Sequence, residues 1–232
     1  IMKNLVLFTV ILGVFAFSSA AIDCNRNKCK ERGLVHTMCE YKVSKRQPSS
    51  ACGEIQNIGI SPKDKEEIVN THNELRQYVA AGLEKRGAPG PQPASDINLK
   101  FVFSQIWDVE LADIAKRWAM QCHFGHDKCR DVDRFGVGQN VGMVSTNGDE
   151  LSTTPKDIIK AWYNEVADLD KNEVTHFTGK KAGHYTQLVW AKTTRIGCGK
   201  LLYKKDGNLN YYLVCNYGPT GNYVGEPIYQ PK

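Results

Sequence analysis

Three stretches of the chain place apolar residues three and four positions apart, the spacing that brings them onto one face of an α-helix. The first is predicted to begin at Ser61 and end at Gly82, the second begins after Asp108, and the third begins at Thr154. The predicted buried stripes are, in order, Ile68, His72, Leu75 and Val79; Leu111, Ile114, Ala115, Trp118 and Cys122; and Ile158, Ile159, Trp162 and Val166.

Two of these helices carry a strong start signal. Ser61 and Thr154 are each followed by a proline and, three residues on, by Asp64 and Asp157, which is the capping-box pattern with proline at the first helical position. Glu165 follows Trp162 by three residues and is therefore expected near the inner face of the third helix. Residues 86–96, RGAPGPQPASD, are predicted to be a loop rich in proline and glycine.

The last third of the chain has the composition of β-strands, predicted at 184–191, about 197–205 and 208–216. Asp206-Gly207 is a strong signal for a two-residue hairpin. Pairing outward from that turn places Cys198 opposite Cys215 at a non-hydrogen-bonded site, where the Cα atoms are about 4.5 Å apart. We therefore expect a Cys198–Cys215 disulfide from the register alone.

The stretch GHYTQLVWAKT (183–193) opens the first of these predicted strands with a histidine. If it is a strand, His184, Thr186, Leu188 and Trp190 share one face. An imidazole would then lie on the same surface as a tryptophan that is expected in the core. Trp118 and Trp162 are also expected in the core.

All eight cysteines lie after residue 21, and the first 21 residues have the pattern of a signal peptide: Lys3, an apolar run from Leu5 to Phe17, then small residues. The run is shorter than the roughly 20 apolar residues that a membrane anchor needs. We expect a secreted protein with four disulfides, a loop-rich arm at 22–60 and one domain at 61–232. Apart from Cys198–Cys215, the remaining six cysteines allow about fifteen pairings.

The charge of the chain narrows the range of partners. The formal net charge is +5 at pH 7, yet no block of lysine and arginine is dense enough to track phosphates, so nucleic acid is not an expected partner. No Asn-x-Ser/Thr acceptor is present, so N-glycosylation is not expected.

GHYTQLVWAKT (183–193) and YLVCNYGPTGNY (212–223) resemble the two long signatures of the CAP superfamily, the cysteine-rich secretory, antigen 5 and pathogenesis-related proteins. Two shorter family signatures occur in order, HNELR (72–76) and GQNV (138–141). The cysteine arrangement and the segment 121–141 are similar to the insect venom antigen 5 group, especially its ant and wasp allergens. The resemblance covers the chain from about Cys24 onward.

The resemblance implies an α+β fold, a three-layer α-β-α sandwich with a disulfide-tethered N-terminal arm. It also implies the disulfides Cys24–Cys39, Cys29–Cys129, Cys52–Cys122 and Cys198–Cys215. Finally, it implies a monomeric, non-enzymatic venom product that binds host IgE antibodies.

CAP proteins share a cleft lined by two histidines and two acids, which in this sequence map to His126, Gln139, Glu165 and His184. Gln139 departs from the pattern, because most of the superfamily has glutamate there. The two imidazoles suit a weak Zn²⁺ site completed by water and Glu165, and an amide is a poorer ligand or supporting acceptor than a carboxylate. The alternative is that the four form a polar cluster that fixes the cleft floor.

Two functions remain open. The first is a scaffold, requiring no cofactor, that binds a small apolar ligand such as a fatty acid, sterol or eicosanoid between helices, as some relatives do. The second is a metal-assisted hydrolase or protease in which His126, His184 and Glu165 activate a water. The first is favoured, because no Gly-x-Ser-x-Gly stretch is present and every cysteine is expected to be bridged. His72, Asn73 and Arg76 are expected to have structural roles.

Overall fold

The computed structural model describes residues 22–42, 47–95 and 104–232, and the predicted signal peptide lies outside them. The helices are α1 (Lys28–Glu31), α2 (Thr37–Glu40), α3 (Pro62–Ala80), α4 (Val109–Ala119), α5 (Pro155–Asn164) and α6 (Gly183–Val189). The strands are β1 (Glu54–Ile58), β2 (Ile106–Trp107), β3 (Gly138–Thr146), β4 (Arg195–Lys205) and β5 (Asn208–Gly218). Short 3-10 helices occupy Ser50–Cys52, Glu165–Asp168 and Lys171–Val174.

The strands form one sheet in the order β1-β4-β5-β3, and β2 runs parallel to the start of β4. The predicted hairpin is confirmed: Lys205 pairs with Asn208, and seven positions further along the register Cys198 faces Cys215. The two cysteines are bonded with a Cα–Cα distance of 4.1 Å. β3 is an edge strand, paired only with β5 along its length among the described residues.

Helices pack against both faces of the sheet, which confirms the α+β class. On one face, Trp118 of α4 packs with Leu201 and Tyr212. On the other face, Trp162 and Trp190 lie in a larger core formed with α3, α5 and α6. Alternate residues of β4 and β5 therefore enter different cores, as the strand period requires. All three tryptophans are buried, as predicted.

The three predicted amphipathic helices are confirmed as α3, α4 and α5. The Ser61 hydroxyl accepts the Asp64 N–H while the Asp64 carboxylate accepts the Ser61 N–H, so the predicted capping box is present. Asp108 caps α4 by accepting the Leu111 N–H. Cys122, predicted on the α4 stripe, lies beyond the end of the helix and has a positive φ of 51°.

The strand prediction for 184–191 is wrong, because Gly183–Val189 is the helix α6. Its amino end is capped by a distant side chain: the Glu165 carboxylate accepts the N–H groups of His184 and Tyr185 at 2.9 and 3.3 Å. These bonds satisfy N–H groups of the first turn that have no acceptor within the helix. No side chain at the N-cap of α6 accepts them. His184, Thr186, Leu188 and Trp190 therefore do not share a strand face.

The four disulfides implied by the resemblance are confirmed: Cys24–Cys39, Cys29–Cys129, Cys52–Cys122 and Cys198–Cys215. Within the segment predicted as a loop-rich arm, α1 and α2 are one-turn helices and β1 joins the central sheet beside β4. The predicted loop at 86–96 is irregular through its described part. Among the described residues, no helix combines the length and apolar character needed to cross a membrane.

Candidate functional site

His184 and Glu165 form a close pair between α6 and the end of α5. His184 Nδ1 lies 2.6 Å from Glu165 Oε1, and both side chains are about one-third exposed, at 33% and 32%. Burial raises the pKa of Glu165, but the hydrogen bonds and charge of His184 outweigh it and hold that pKa below its ordinary value. The carboxylate therefore stays ionised while it both caps α6 and orients the imidazole.

The imidazole of His184 stacks on Trp162, with ring centroids 6.0 Å apart and 16° between the planes. Trp162 is held in turn by its indole N–H, which donates to the Val141 carbonyl of β3 at 3.1 Å. The orientation of His184 is thus fixed by a carboxylate on one side and an anchored aromatic ring on the other.

His126 and Gln139 form the second pair. The Gln139 amide nitrogen donates to Asp127 Oδ1 at 3.2 Å and to Asn216 Oδ1 at 3.0 Å. Its oxygen must therefore face His126 Nδ1, which lies 3.0 Å away. Because that oxygen only accepts, Nδ1 carries the proton of the neutral imidazole. A glutamate in place of Gln139 would lose both donors and set a second carboxylate beside Asp127.

Both imidazoles consequently present the same atom to a ligand. Nδ1 is engaged in each, and no described residue hydrogen-bonds Nε2 of His126 or His184. Zinc-binding histidines have this arrangement, with a carboxylate or carbonyl acceptor on one nitrogen and the metal on the other. In the described ranges, however, no three His, Cys, Asp or Glu side chains are grouped to hold a metal. That both imidazoles bind one Zn²⁺ ion, with water completing its coordination, stays a prediction.

The two pairs are joined through β3. Gln139 and Asn140 are successive residues, so their side chains leave opposite faces of the strand. The Asn140 amide donates to the His184 carbonyl at 3.0 Å, whereas Gln139 holds His126 on the α4 side. Within the described part of the chain no hydrogen bond links one pair to the other. That all four line one cleft stays a prediction.

A groove borders the His184 pair on the edge of the sheet. It has a volume of about 430 Å³, and its apolar walls are Val144 of β3 with Ile158, Ala161 and Trp162 of α5. Its polar lining is Ser152, Thr153 and Asp157. Met143 and Val144 are more than one-third exposed. We call this space the β3–α5 groove. Trp162 is common to both features, since it walls the groove and stacks on His184.

Nucleophiles are not placed beside either histidine in the described residues. All eight cysteines are in disulfides. The Thr186 hydroxyl is 2.8 Å from Asn222 Oδ1 and 3.2 Å from the Gly183 carbonyl. No described hydroxyl hydrogen-bonds His126 or His184, so the dyad of an activated serine or threonine is not assembled there.

The residues expected to be structural have that role. His72 is fully buried and contacts the Ile68 carbonyl and the Tyr217 hydroxyl at 2.8 and 2.9 Å. Arg76 donates to three backbone carbonyls, and Asn73 exchanges two hydrogen bonds with the backbone of Gln105. None of these contacts indicates a role in ligand binding.

Sequence reasoning missed Asp127, Asn216 and the aromatic support of His184. Asn216 pairs with Gln139 in the β3–β5 register. Only the position of β3 beside β5, which the sequence pattern did not predict, would have brought them together. His126 also lines a groove of about 340 Å³ with Tyr41, Trp118 and His123 on the arm side of the molecule.

Comparisons with known proteins agree with this architecture. The sequence model described as CAP, cysteine-rich secretory protein family, matches residues 69–217. Venom allergen 3 of Solenopsis invicta is 49% identical over 215 residues, covering 90% of this chain and 89% of that protein. Venom allergen 5 of Rhynchium brunneum is 43% identical over 224 residues, covering 95% of each chain. The solved structure titled "Crystal structure of NaASP2 with Zn2+" is 31% identical with a TM-score of 0.63, covering 78% of this chain and 91% of that one.

Proposed function

The chain belongs to the cysteine-rich secretory protein (CAP) family, and from that premise we propose that it is a secreted, non-enzymatic venom protein that binds a small apolar ligand. The observation that carries the proposal is the β3–α5 groove, which has apolar walls and shares Trp162 with a His184–Glu165 pair that lacks a neighbouring nucleophile. The ligand class is a fatty acid, sterol or eicosanoid.

The groove has the properties of a small-molecule site. Its volume of about 430 Å³ lies in the range of ligand pockets, roughly 300–1,000 Å³. Its lining is about half apolar, and Ser152, Thr153 and Asp157 supply polar groups. Val144 leaves apolar surface in water that a ligand would cover. The proposed site lies at the edge of the sheet against α5. The resemblance suggested a different position, between two helices.

Secretion into venom and recognition by host IgE are parts of the same proposal. Four disulfides fit an oxidising, extracellular compartment. The relatives at 43–49% identity over most of the chain are named venom allergens. IgE binding is a response of the host and requires no ligand, so it is independent of the groove.

The test is calorimetric titration of the secreted protein with palmitate and with cholesterol. Val144→Glu sets a carboxylate in the groove, and we expect it to weaken binding at least about tenfold because a buried, unpaired charge is costly. Val109→Glu is the matched control, since Val109 is an exposed valine at the start of α4. Equal affinities of the two variants, or no binding by the unmodified protein, would reject the groove as the site.

The alternative is a metal-assisted hydrolase, favoured by the free Nε2 atoms of His126 and His184. A bound Zn²⁺ would supply an acidic water, and the protein residues would hold the imidazoles through Gln139 and Glu165. Zinc titration of the unmodified protein and of a His126→Ala, His184→Ala double variant tests it. Metal binding that the double variant loses, together with zinc-dependent hydrolysis of a peptide or ester, would favour this function over the first.

A further inference from the structure

A second and larger groove lies at the hairpin end of the sheet, across β1, β4 and β5, and it meets the β3–α5 groove at Ser152. Its volume is about 740 Å³ and it is lined by Glu54, Gln56, Leu202, Lys204, Leu209 and the loop 149–152. We call it the β1–β4 groove. We propose that it is a separate binding site for a cationic amphiphile, a molecule with an apolar chain and an ammonium head group.

The floor of the β1–β4 groove is formed by leucines. Leu202 is partly buried against the core that contains α3 and α5, and Leu209 is buried. Both lie in the hairpin between Lys200, which is bonded at 2.7 Å to Asp64 in the first turn of α3, and the turn at 206–207. Leu151 of the loop after β3 completes the floor. Three leucines thus border a space large enough for an alkyl chain.

The rim of the same groove is negative. Glu54, Asp149 and Glu150 contribute three carboxylates, and Lys204 is the lining cation. That lysine is 2.8 Å from Asp149 and stands opposite Glu54 in the β1–β4 register, so one cation faces three carboxylates and the rim keeps a negative charge. Neither Glu54 nor Glu150 lies within ion-pair distance of a cation among the described residues. The remaining charge contrasts with the formal net charge of +5 carried by the whole chain.

These two features define the ligand together. An anionic or zwitterionic amphiphile would meet unbalanced carboxylates, whereas an ammonium group gains their attraction while its chain covers the leucines. A divalent metal ion is a poor match, because no three acidic or imidazole side chains among the described residues converge to hold one. The chemistry therefore points to a diffuse organic cation.

The test compares three amphiphiles with the same ten-carbon chain: decyltrimethylammonium, decyl sulfate and decyl maltoside, each below its micelle concentration. Calorimetry on the intact protein at low salt is expected to show the ammonium compound binding about tenfold more tightly than the other two, with the difference shrinking as salt is added. Similar affinities for all three head groups would overturn the proposal.

Matched variants locate the binding. Glu54→Gln with Glu150→Gln removes the uncompensated rim charge, and Glu31→Gln with Asp133→Asn makes the same charge change at exposed positions in α1 and the loop before β3. The first pair should reduce ammonium binding to the level of the neutral amphiphile, while the second leaves it unchanged. Val144→Glu should also leave it unchanged. Loss of ammonium binding in Val144→Glu would place the amphiphile in the β3–α5 groove and overturn a separate site.

Discussion

Acidification should destabilise this protein through His72, beginning at a pH above the ordinary pKa values of carboxylates. His72 is fully buried in α3, where Nδ1 donates to the Ile68 carbonyl and Nε2 accepts the Tyr217 hydroxyl. Burial is the main reason that its pKa falls from 6.5 to about 4; the bond to Ile68 opposes that shift and the charge of Arg76 adds to it. The native state therefore holds the imidazole neutral.

The magnitude follows from linkage. Between pH 6.5 and about 4, the unfolded chain binds a proton at His72 that the native protein does not, so stability falls as the pH is lowered through this window. Each pKa unit corresponds to about 1.4 kcal/mol, and the whole shift therefore to about 3 kcal/mol. From pH 7.5 to 4.5 the expected loss is about 2.5 kcal/mol, a large share of a typical domain stability.

The assay is guanidinium unfolding of the disulfide-intact protein at several pH values, compared with His72→Gln. Glutamine does not titrate, so the variant should lose about 2.5 kcal/mol less than the parent between pH 7.5 and 4.5. The pKa of buried His36 is also lowered by burial, which gives a loss of the same sign in this window. The loss from His36 is the same in the parent and in His72→Gln, so it cancels in the difference between their stabilities. Parallel stability curves for the two proteins would refute the reasoning.

Three further substitutions test individual contacts. Arg76→Met leaves three backbone carbonyls without the donors they now have; we expect a loss of about 4 kcal/mol in equilibrium unfolding, and a loss below about 1 kcal/mol would contradict it. Gly197→Ala would drive a Cβ atom into the backbone of α4, whereas the Cβ atom of Gly148→Ala meets only a side-chain oxygen 3.5 Å away. Secretion yield and melting temperature should therefore fall sharply for Gly197→Ala and stay unchanged for Gly148→Ala. Gln139→Glu sets a carboxylate beside Asp127, so its deficit in melting temperature should be larger at pH 8 than at pH 4, and a constant deficit would argue against that contact.

The sequence predicted the parts of the fold that depend on local rules. Capping patterns at Ser61, Asp108 and Thr154 placed the starts of α3, α4 and α5. The Asp206-Gly207 turn fixed a register from which the Cys198–Cys215 disulfide followed. In each case the information lies within a few residues or is carried along a paired strand.

The strand prediction at 184–191, where the structure has the helix α6, shows where such rules fail. Tyr185, Thr186 and Val189 favour strands, but tertiary contacts override that preference. The Glu165 carboxylate caps the helix from 19 and 20 positions away, and Asn140 holds the His184 carbonyl. Tyr185, Leu188 and Val189 are all buried and are spaced as on one face of a helix. The helical spacing was therefore present in the sequence, but the strand-favouring residue types outweighed it in the prediction.

For the candidate site, the structure adds the contacts that hold each residue. His126, Gln139, Glu165 and His184 were expected to line one cleft, with Glu165 and Gln139 as ligands or supporting acceptors. The structure shows two separate hydrogen-bonded pairs in which Gln139 and Glu165 are acceptors on Nδ1. Asp127 and Asn216, which fix the Gln139 amide, were invisible because their approach depends on the position of β3.

The most direct test of the account is native mass spectrometry of the secreted protein, purified without added metal or lipid, beside Val144→Glu and the His126→Ala, His184→Ala double variant. The account predicts a non-covalent mass of an apolar molecule on the parent and on the double variant, and its loss from Val144→Glu. A zinc mass that the double variant loses, with no apolar ligand on any of the three proteins, would contradict it.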